Sequence, residues 1–395
     1  MSSLMPAAII GASQRVKNLA PSPTVAVSER ARQMKSEGVD VIDLGGGDPD
    51  FKTPDHICTA LNQALAAGET HYVATAGTAA LRESIARKLL RDNRLSINPA
   101  SEVLVTPGAK AALFQAMLAF VEPGVDVMVL EPAWVSYRPM IEIAGGRPVA
   151  VALSPKNNYQ ITRHLLEFSL TPQTRILLVN SPNNPTGRVL TVEEAQQVAA
   201  FAVEPQLLVF SDEIYEKILY DRRHHICLAA LPGMASRTLT FNGFSKSYAM
   251  TGWRLGYVAG PADLIKQITK IHTHSTTCVT SFAQAGGVAA LEGPQDFVGE
   301  MVAHWDRRRQ AICGGLSKIK GIRCPLPEGA FYAMADIEDT GFDSTTFAEK
   351  LLQEARVAVT PGIAFGRASA HQIRLSFATR DEDLQKAVER IGHCL

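Results

Sequence analysis

Apolar residues recur along this chain in two different periods. Short runs of aliphatic and β-branched residues occur at Val103 to Val105, Val127 to Leu130, Val149 to Ala152, Ile176 to Val179, Leu207 to Phe210, Leu239 to Phe241 and Tyr257 to Ala259. Each has the length of a buried strand. Between them, apolar positions spaced three and four apart predict helices, most clearly over Ala109 to Phe120, Val192 to Val203 and Ala262 to Ile271. This alternation predicts an α/β architecture, a mainly parallel sheet covered by helices. From Gln295 onward the pattern changes to longer polar helices, Phe297 to Ile319, Ser344 to Glu354 and Asp381 to Ile391, around strand signals at Phe331 to Ala335 and Ile373 to Phe377. A smaller α+β unit fits that stretch.

Composition narrows the function classes. At 395 residues, 46% hydrophobic and 20% charged, the chain can bury the cores of two units, and no linker or repeat separates them. Lys plus Arg equals Asp plus Glu at 39 each, so no net field favours nucleic acid or an anionic membrane. The six cysteines form no C-x-x-C pair, which points to free thiols in a reducing cytoplasm. Met1 to Gly11 lacks a basic segment followed by a long apolar one, and no stretch approaches the ~18 apolar residues of a membrane span. The histidines His224, His225, His272 and His274 have no carboxylate or thiol at ligand spacing in the sequence, so no metal is expected.

In a sheet of this kind the ligand crevice lies beyond the carboxyl ends of the strands. That directs attention to Asn184 after the fourth run, Asp212 after the fifth and Lys246 after the sixth. Lys246 lies in F-N-G-F-S-K-S-Y-A-M-T-G-W-R-L-G-Y (241–257), with Arg254 eight positions later. An amine of tuned pKa beside a fixed guanidinium suits Schiff-base chemistry on an anionic cofactor. Taken alone, the pair reads equally as a surface lysine and a structural arginine. Two further segments are S-P-N-N-P-T-G (181–187) and S-D-E-I-Y (211–215). Asp212 is placed to keep a pyridine nitrogen protonated, and Asn184 and Tyr215 to hydrogen-bond a ring oxygen. Without that context, the first segment is a turn and the second a helix start.

Together with R-L-S-F-A (374–378), these motifs occur in an order and spacing that resemble the class I aminotransferases of fold type I, nearest the bacterial aspartate aminotransferase branch. The resemblance runs from about Gln14 to near the C-terminus. It implies a mainly parallel seven-stranded sheet in a large domain (48–294), a smaller α+β domain (295–395), and an N-terminal arm (1–47) that joins the smaller one. It also implies pyridoxal 5′-phosphate, bound by Lys246 as a Schiff base, with Lys246 doubling as proton shuttle and Asp212 as ring-nitrogen partner. Asn184 and Tyr215 match the pair at the ring oxygen, and Trp134 the stacking aromatic. Arg254 matches the phosphate clamp, with Gly108, Ala109 and Lys110 as the helix-start turn that cradles the same group. Arg374 matches the arginine on the substrate carboxylate, and Gly47 the glycine that admits substrate. Tyr72 matches a tyrosine given to the neighbouring subunit, implying a homodimer with composite sites.

The implied reaction exchanges an amino group between an L-amino acid, aspartate or glutamate by default, and a 2-oxo acid in two ping-pong halves. Three departures bear on substrate. Leu19-Ala20 stands where relatives that accept prephenate have a basic residue before P-S-x-T. The stretch Ile271 to Gln284, expected as an interfacial loop, carries Cys278-Val279 in place of a stiffening proline, and His274 is expected there to help recognise the side chain. Gly243 occupies a position that is a phosphate-binding serine in some relatives, with Ser245 in partial compensation. The main alternative on the same fold is a lyase or synthase. A regulator with an added DNA-binding unit is disfavoured, because the match leaves no room for one and no basic patch stands out.

Overall fold

The structure is a computed structural model that describes residues 11–395. The segment read for a leader, residues 1–10, lies outside the described residues. After a helix at Pro23–Ser36, β1 (Ile42–Asp43) leads into the main sheet. Its strands are β2 (Val103–Thr106), β3 (Asp126–Glu131), β4 (Arg147–Ala152), β5 (Thr174–Asn180), β6 (Leu208–Asp212), β7 (Thr238–Gly243) and β8 (Gly256–Ala259). They are ordered β2-β8-β7-β6-β5-β3-β4. The block from β4 to β7 is parallel, whereas β8 runs antiparallel to both neighbours. Six contain the apolar runs read from sequence whole, and β6 contains its run apart from Leu207. Strands β2, β3, β7 and β8 are buried at every position, which is why they read as continuous apolar runs and not as alternations.

The helices Ala109–Phe120 and Val192–Val203 keep the expected limits, for local reasons. Gly108 adopts φ +81 and turns the chain from β2 into the first helix. Thr191 and Glu194 form a reciprocal capping box at the start of the second. The expected loop over Ile271 to Gln284 is corrected. The helix begun at Ala262 continues to Ser275, carrying His272 and His274, and a second helix runs over Ser281–Glu292. His272 is buried with Nδ1 3.1 Å from Gln115 Oε1, and that tertiary contact holds the extra helical turn.

In the C-terminal stretch, β9 (Tyr332–Asp336), β11 (Thr360–Pro361) and β12 (Gln372–Ser376) form an antiparallel sheet ordered β11-β12-β9, and β10 (Val357–Ala358) pairs in parallel with β1. The expected helix Ser344 to Glu354 is α-helical to Lys350 and then widens into a π-helical turn over Leu351–Ala355. Trp305, Phe331, Phe347 and Phe377 pack into one core with Ile42, Leu44, Tyr215 and Ile218. The two sheets therefore meet across shared apolar packing, and β9 and β12 face the carboxyl ends of β5 to β7.

Candidate active site

A cavity of about 380 Å³ opens at that meeting. Asn180 ends β5 and Asp212 ends β6; the two are register partners, and Asn180 Nδ2 donates to the Asp212 carbonyl at 2.9 Å. Asn180 Oδ1 accepts from the Asn184 amide at 2.8 Å, fixing the turn that follows β5. Lys246 lies just past β7. Gly47, Ala109, Lys110, Trp134, Asn184, Asp212, Tyr215, Ser245, Lys246, Arg254 and Arg374 all line the cavity, as the sequence implied. Gly108 sits directly behind Arg254, where a Cβ would come 2.8 Å from Nη2. Tyr72 does not reach the cavity of its own chain and is 87% exposed. His274 is exposed on its helix and is likewise absent from the lining.

Charge defines the site. Arg32, Lys110, Lys246, Arg254 and Arg374 line it against a single carboxylate, Asp212. Burial pushes the Asp212 carboxyl up to about 6, although it accepts from Tyr137 Oη at 2.6 Å and from the Ile214 amide at 3.2 Å. Among the described residues no cation pairs with it. Burial pushes the Lys246 ammonium down to about 8; its Nζ donates to the Gly47 carbonyl at 2.5 Å. Arg374 is buried, donates to Asn184 Oδ1 at 3.0 Å and to the Gly45 carbonyl, and leaves Nε without a partner. Its guanidinium lies between the rings of Tyr332 and Phe365, 4.4 and 5.0 Å from their centroids.

At the other end, the start of the helix Ala109–Phe120 points its free amides into the cavity beside Arg254, whose Nη1 donates to the Thr251 carbonyl at 2.7 Å. Gly256 permits this approach, since a Cβ there would run into the Gly108 and Ala109 backbone. Gly243, its register partner, is also closely packed: a Cβ would lie 3.0 Å from both Gly256 Cα and Leu255 O, so a serine there would need its neighbours to give by a few tenths of an ångström. Trp134 meets Tyr137 edge to face at 5.3 Å, and Lys110 Nζ lies 4.9 Å from the Trp134 centroid.

Sequence reasoning missed Tyr137, Asn180, Tyr332 and the helix residues Thr24, Ser28 and Arg32, all of which line the cavity. Tyr137 stands three positions after Trp134 and Asn180 immediately precedes S-P-N-N, so both were within reach of the motifs. Tyr332 had no signal beyond its strand. The expectation that no carboxylate accompanies the histidines is also corrected. Glu213, Glu216 and His225 bring ligand atoms within 4.8 Å of one another, with His225 Nε2 2.8 Å from Glu213. The cluster already contains a cation, because Lys88 Nζ donates to Glu216 and to Asn93.

The family model for aminotransferases of class I and II matches residues 39–391. The chain is 44% identical over 382 residues to an aspartate aminotransferase of Musicola paradisiaca, with 96% of each chain covered, and 42% identical to one of Pyrococcus abyssi, with 97% and 98% covered. Among solved structures it is similar to the Thermus thermophilus aspartate aminotransferase with maleate (TM-score 0.94, 41% identity, 98% and 100% covered). It is similar too to an aromatic aminotransferase of Pyrococcus horikoshii (TM-score 0.88, 42% identity, 93% and 98% covered). These likenesses favour amino-group transfer over the lyase or synthase reading. With its motifs, sheet order and cavity chemistry in agreement over nearly the whole length, the chain belongs to the class I and II aminotransferases, as an enzyme of fold type I.

Proposed function

We propose that the cavity binds pyridoxal 5′-phosphate and exchanges the amino group of aspartate or glutamate with a 2-oxo acid. The observation that carries this is the charge layout: among the described residues, one buried carboxylate with no cation partner faces a desolvated lysine and several cationic side chains with no carboxylate partner. A protonated ring nitrogen would complete Asp212, and a phosphate would fit between Arg254, Ser245 and the amides of Ala109 and Lys110, the Gly108 amide being already bonded to the Thr106 carbonyl at 2.7 Å. When bound, the cofactor supplies an aldehyde for an amine and a ring that accepts the electron pair left by the α-proton.

The chain's residues do the rest. Trp134 offers a ring face, and Asn184 and Tyr215 offer donors for a ring oxygen. Arg374 grips the substrate α-carboxylate through its fork, and Gly47 leaves the approach open. Lys246, part neutral near pH 8, would hold a proton at Nζ and so could take up the α-proton and release it again. Those roles leave Lys110 and Arg32 unassigned, although Lys110 is among the residues placed at the phosphate turn. Burial and the nearby Arg254 push the Lys110 ammonium down, so an anion beside it is favoured. A side-chain carboxylate meets that need, and maleate, a dicarboxylate, occupies the Thermus relative.

Tyr72, so exposed in one chain, supports a homodimer in which it completes the neighbour's site. His274 acts on substrate only if a neighbour brings it there. The pairing of β1 with β10 supports grouping the arm (1–47) with the smaller domain (295–395), apart from the large domain (48–294). Six free thiols support a cytoplasmic location, and no helix among the described residues is long and apolar enough to cross a membrane.

The test is borohydride reduction of protein saturated with pyridoxal phosphate, followed by peptide mapping. The label is expected on Lys246, and a label elsewhere or none overturns the reading. The rate at which apoprotein captures the cofactor should rise with pH through about 8 and then level, because only the neutral amine reacts. A flat stopped-flow profile from pH 6.5 to 9 would contradict that. Lys110→Ala should lower kcat/KM for aspartate by about 10- to 100-fold, the worth of one charged hydrogen bond, and leave alanine within about threefold. Equal losses on both substrates would return Lys110 to the phosphate alone.

A further inference from the structure

Tyr332 opens β9 with its ring under the Arg374 guanidinium, and its hydroxyl lies 2.9 Å from that of Tyr215. Both tyrosines are buried, at 2% and 4% exposure, and their rings meet edge to face at 5.7 Å. The space for this hydroxyl is made by Gly47, where any Cβ would collide with Tyr332 Oη. Among the described residues neither hydroxyl has another hydrogen-bond partner. Two phenols share one contact, so one proton lies between them and the other is free to point into the cavity.

We propose that Tyr332 is a positioning residue for amino transfer: its hydroxyl donates to Tyr215 and so turns the Tyr215 proton toward the ring oxygen of the cofactor. In a phenol pair the stronger acid donates. The cation lies directly on the Tyr332 face, so its proton is the more easily given. Burial raises both hydroxyls, but Tyr215 goes well above the ordinary range, while Arg374 offsets more of the rise at Tyr332. The other charged groups facing the pair are Lys246, Asp48 and Asp212. Without the donation, Tyr215 would be free to turn its proton onto Tyr332 or away from the ring, and its acidity would fall.

This inference rests on the pyridoxal phosphate reading, and the test separates the two. Tyr332→Phe removes one oxygen and keeps the ring against Arg374. In holoenzyme without substrate, the pH midpoint of the cofactor's visible absorption band should move upward by about half a unit, the scale of one weakened hydrogen bond. Tyr215→Phe should move it further in the same direction, and adding Tyr332→Phe to Tyr215→Phe should move it no more. kcat should fall about 3- to 10-fold with KM for the amino acid within about twofold, because the Arg374 fork is untouched. A midpoint that stays put in Tyr332→Phe overturns the proposal, as does a shift that adds in full to that of Tyr215→Phe. Should Tyr332→Phe not fold, Tyr332→Leu, which also removes the hydroxyl, takes its place alone and with Tyr215→Phe, with the same expectation for the midpoint. A wild-type protein with no visible band overturns the cofactor reading and this inference with it, whereas a normal band whose midpoint ignores Tyr332→Phe overturns this inference alone.

Discussion

Lys246→Ala is expected to lower kcat by at least about 10⁴-fold, the upper range for loss of a positioned acid–base group, while leaving the fold intact. The structure separates these two outcomes. The ammonium is buried, its pKa is driven down to about 8 by desolvation, and among the described residues it has no carboxylate partner, so its removal leaves no orphaned charge. Cofactor affinity should persist in part, because Trp134, Asp212, Arg254 and the helix amides are unchanged, but the cofactor should become removable by dialysis. Circular dichroism, thermal melting and single-turnover kinetics with aspartate check this together. A variant that melts normally and retains more than about 1% of wild-type turnover would remove Lys246 as the proton carrier.

The second large effect sets activity against stability. Asp212→Asn should lower kcat/KM by about 10²- to 10³-fold, as expected for losing one preorganised charge at the reacting ring, and should stabilise the apoprotein. The carboxyl is raised from the ordinary 3.8 to about 6 by burial. A raised folded-state value means that the contribution to stability is full below the unfolded-state pKa and is lost as pH rises through 6. Above pH 6 the apoprotein therefore carries a penalty on the order of 3 kcal/mol. The amide removes it but keeps fewer of the bonds from Tyr137 and Ile214, leaving a net gain of about 1–2 kcal/mol. Apoprotein Tm at pH 7.5 should rise by roughly 1–2.5 °C for a chain of this length, with little difference at pH 4. A Tm that falls at both pH values would mean that Asp212 is structural first.

The candidate pocket was legible in the sequence for a local reason. Lys246, Asp212, Asn184 and Arg254 sit in turns at strand ends, where chain direction, glycine and proline are set locally, so the chemistry and its punctuation occupy the same few residues. Residues that act from inside regular elements left no such mark. Tyr332 reads as one more apolar strand position, and its value comes from meeting Tyr215 and Arg374 across two sheets. Arg32 reads as an exposed helix residue until the helix Pro23–Ser36 is laid over the cavity. The local structure around His274 was misread because the loop expected there is held helical by the buried contact of His272 with Gln115, a partner far away in the chain.

The linear order of residues by itself determined the periodicity of the strands and helices, and hence the α/β class, since these depend on neighbours within one or two turns. It also determined which groups could meet a phosphate, a ring nitrogen or a carboxylate. Only the tertiary structure decided their protonation and their company. Desolvation of Lys246 and Asp212, the stacking of Arg374 between Tyr332 and Phe365, and the Lys88 ammonium inside the Glu213, Glu216 and His225 cluster all arise from burial among segments distant in sequence. Electrostatic energy depends on distance and dielectric, and neither exists until the chain has folded.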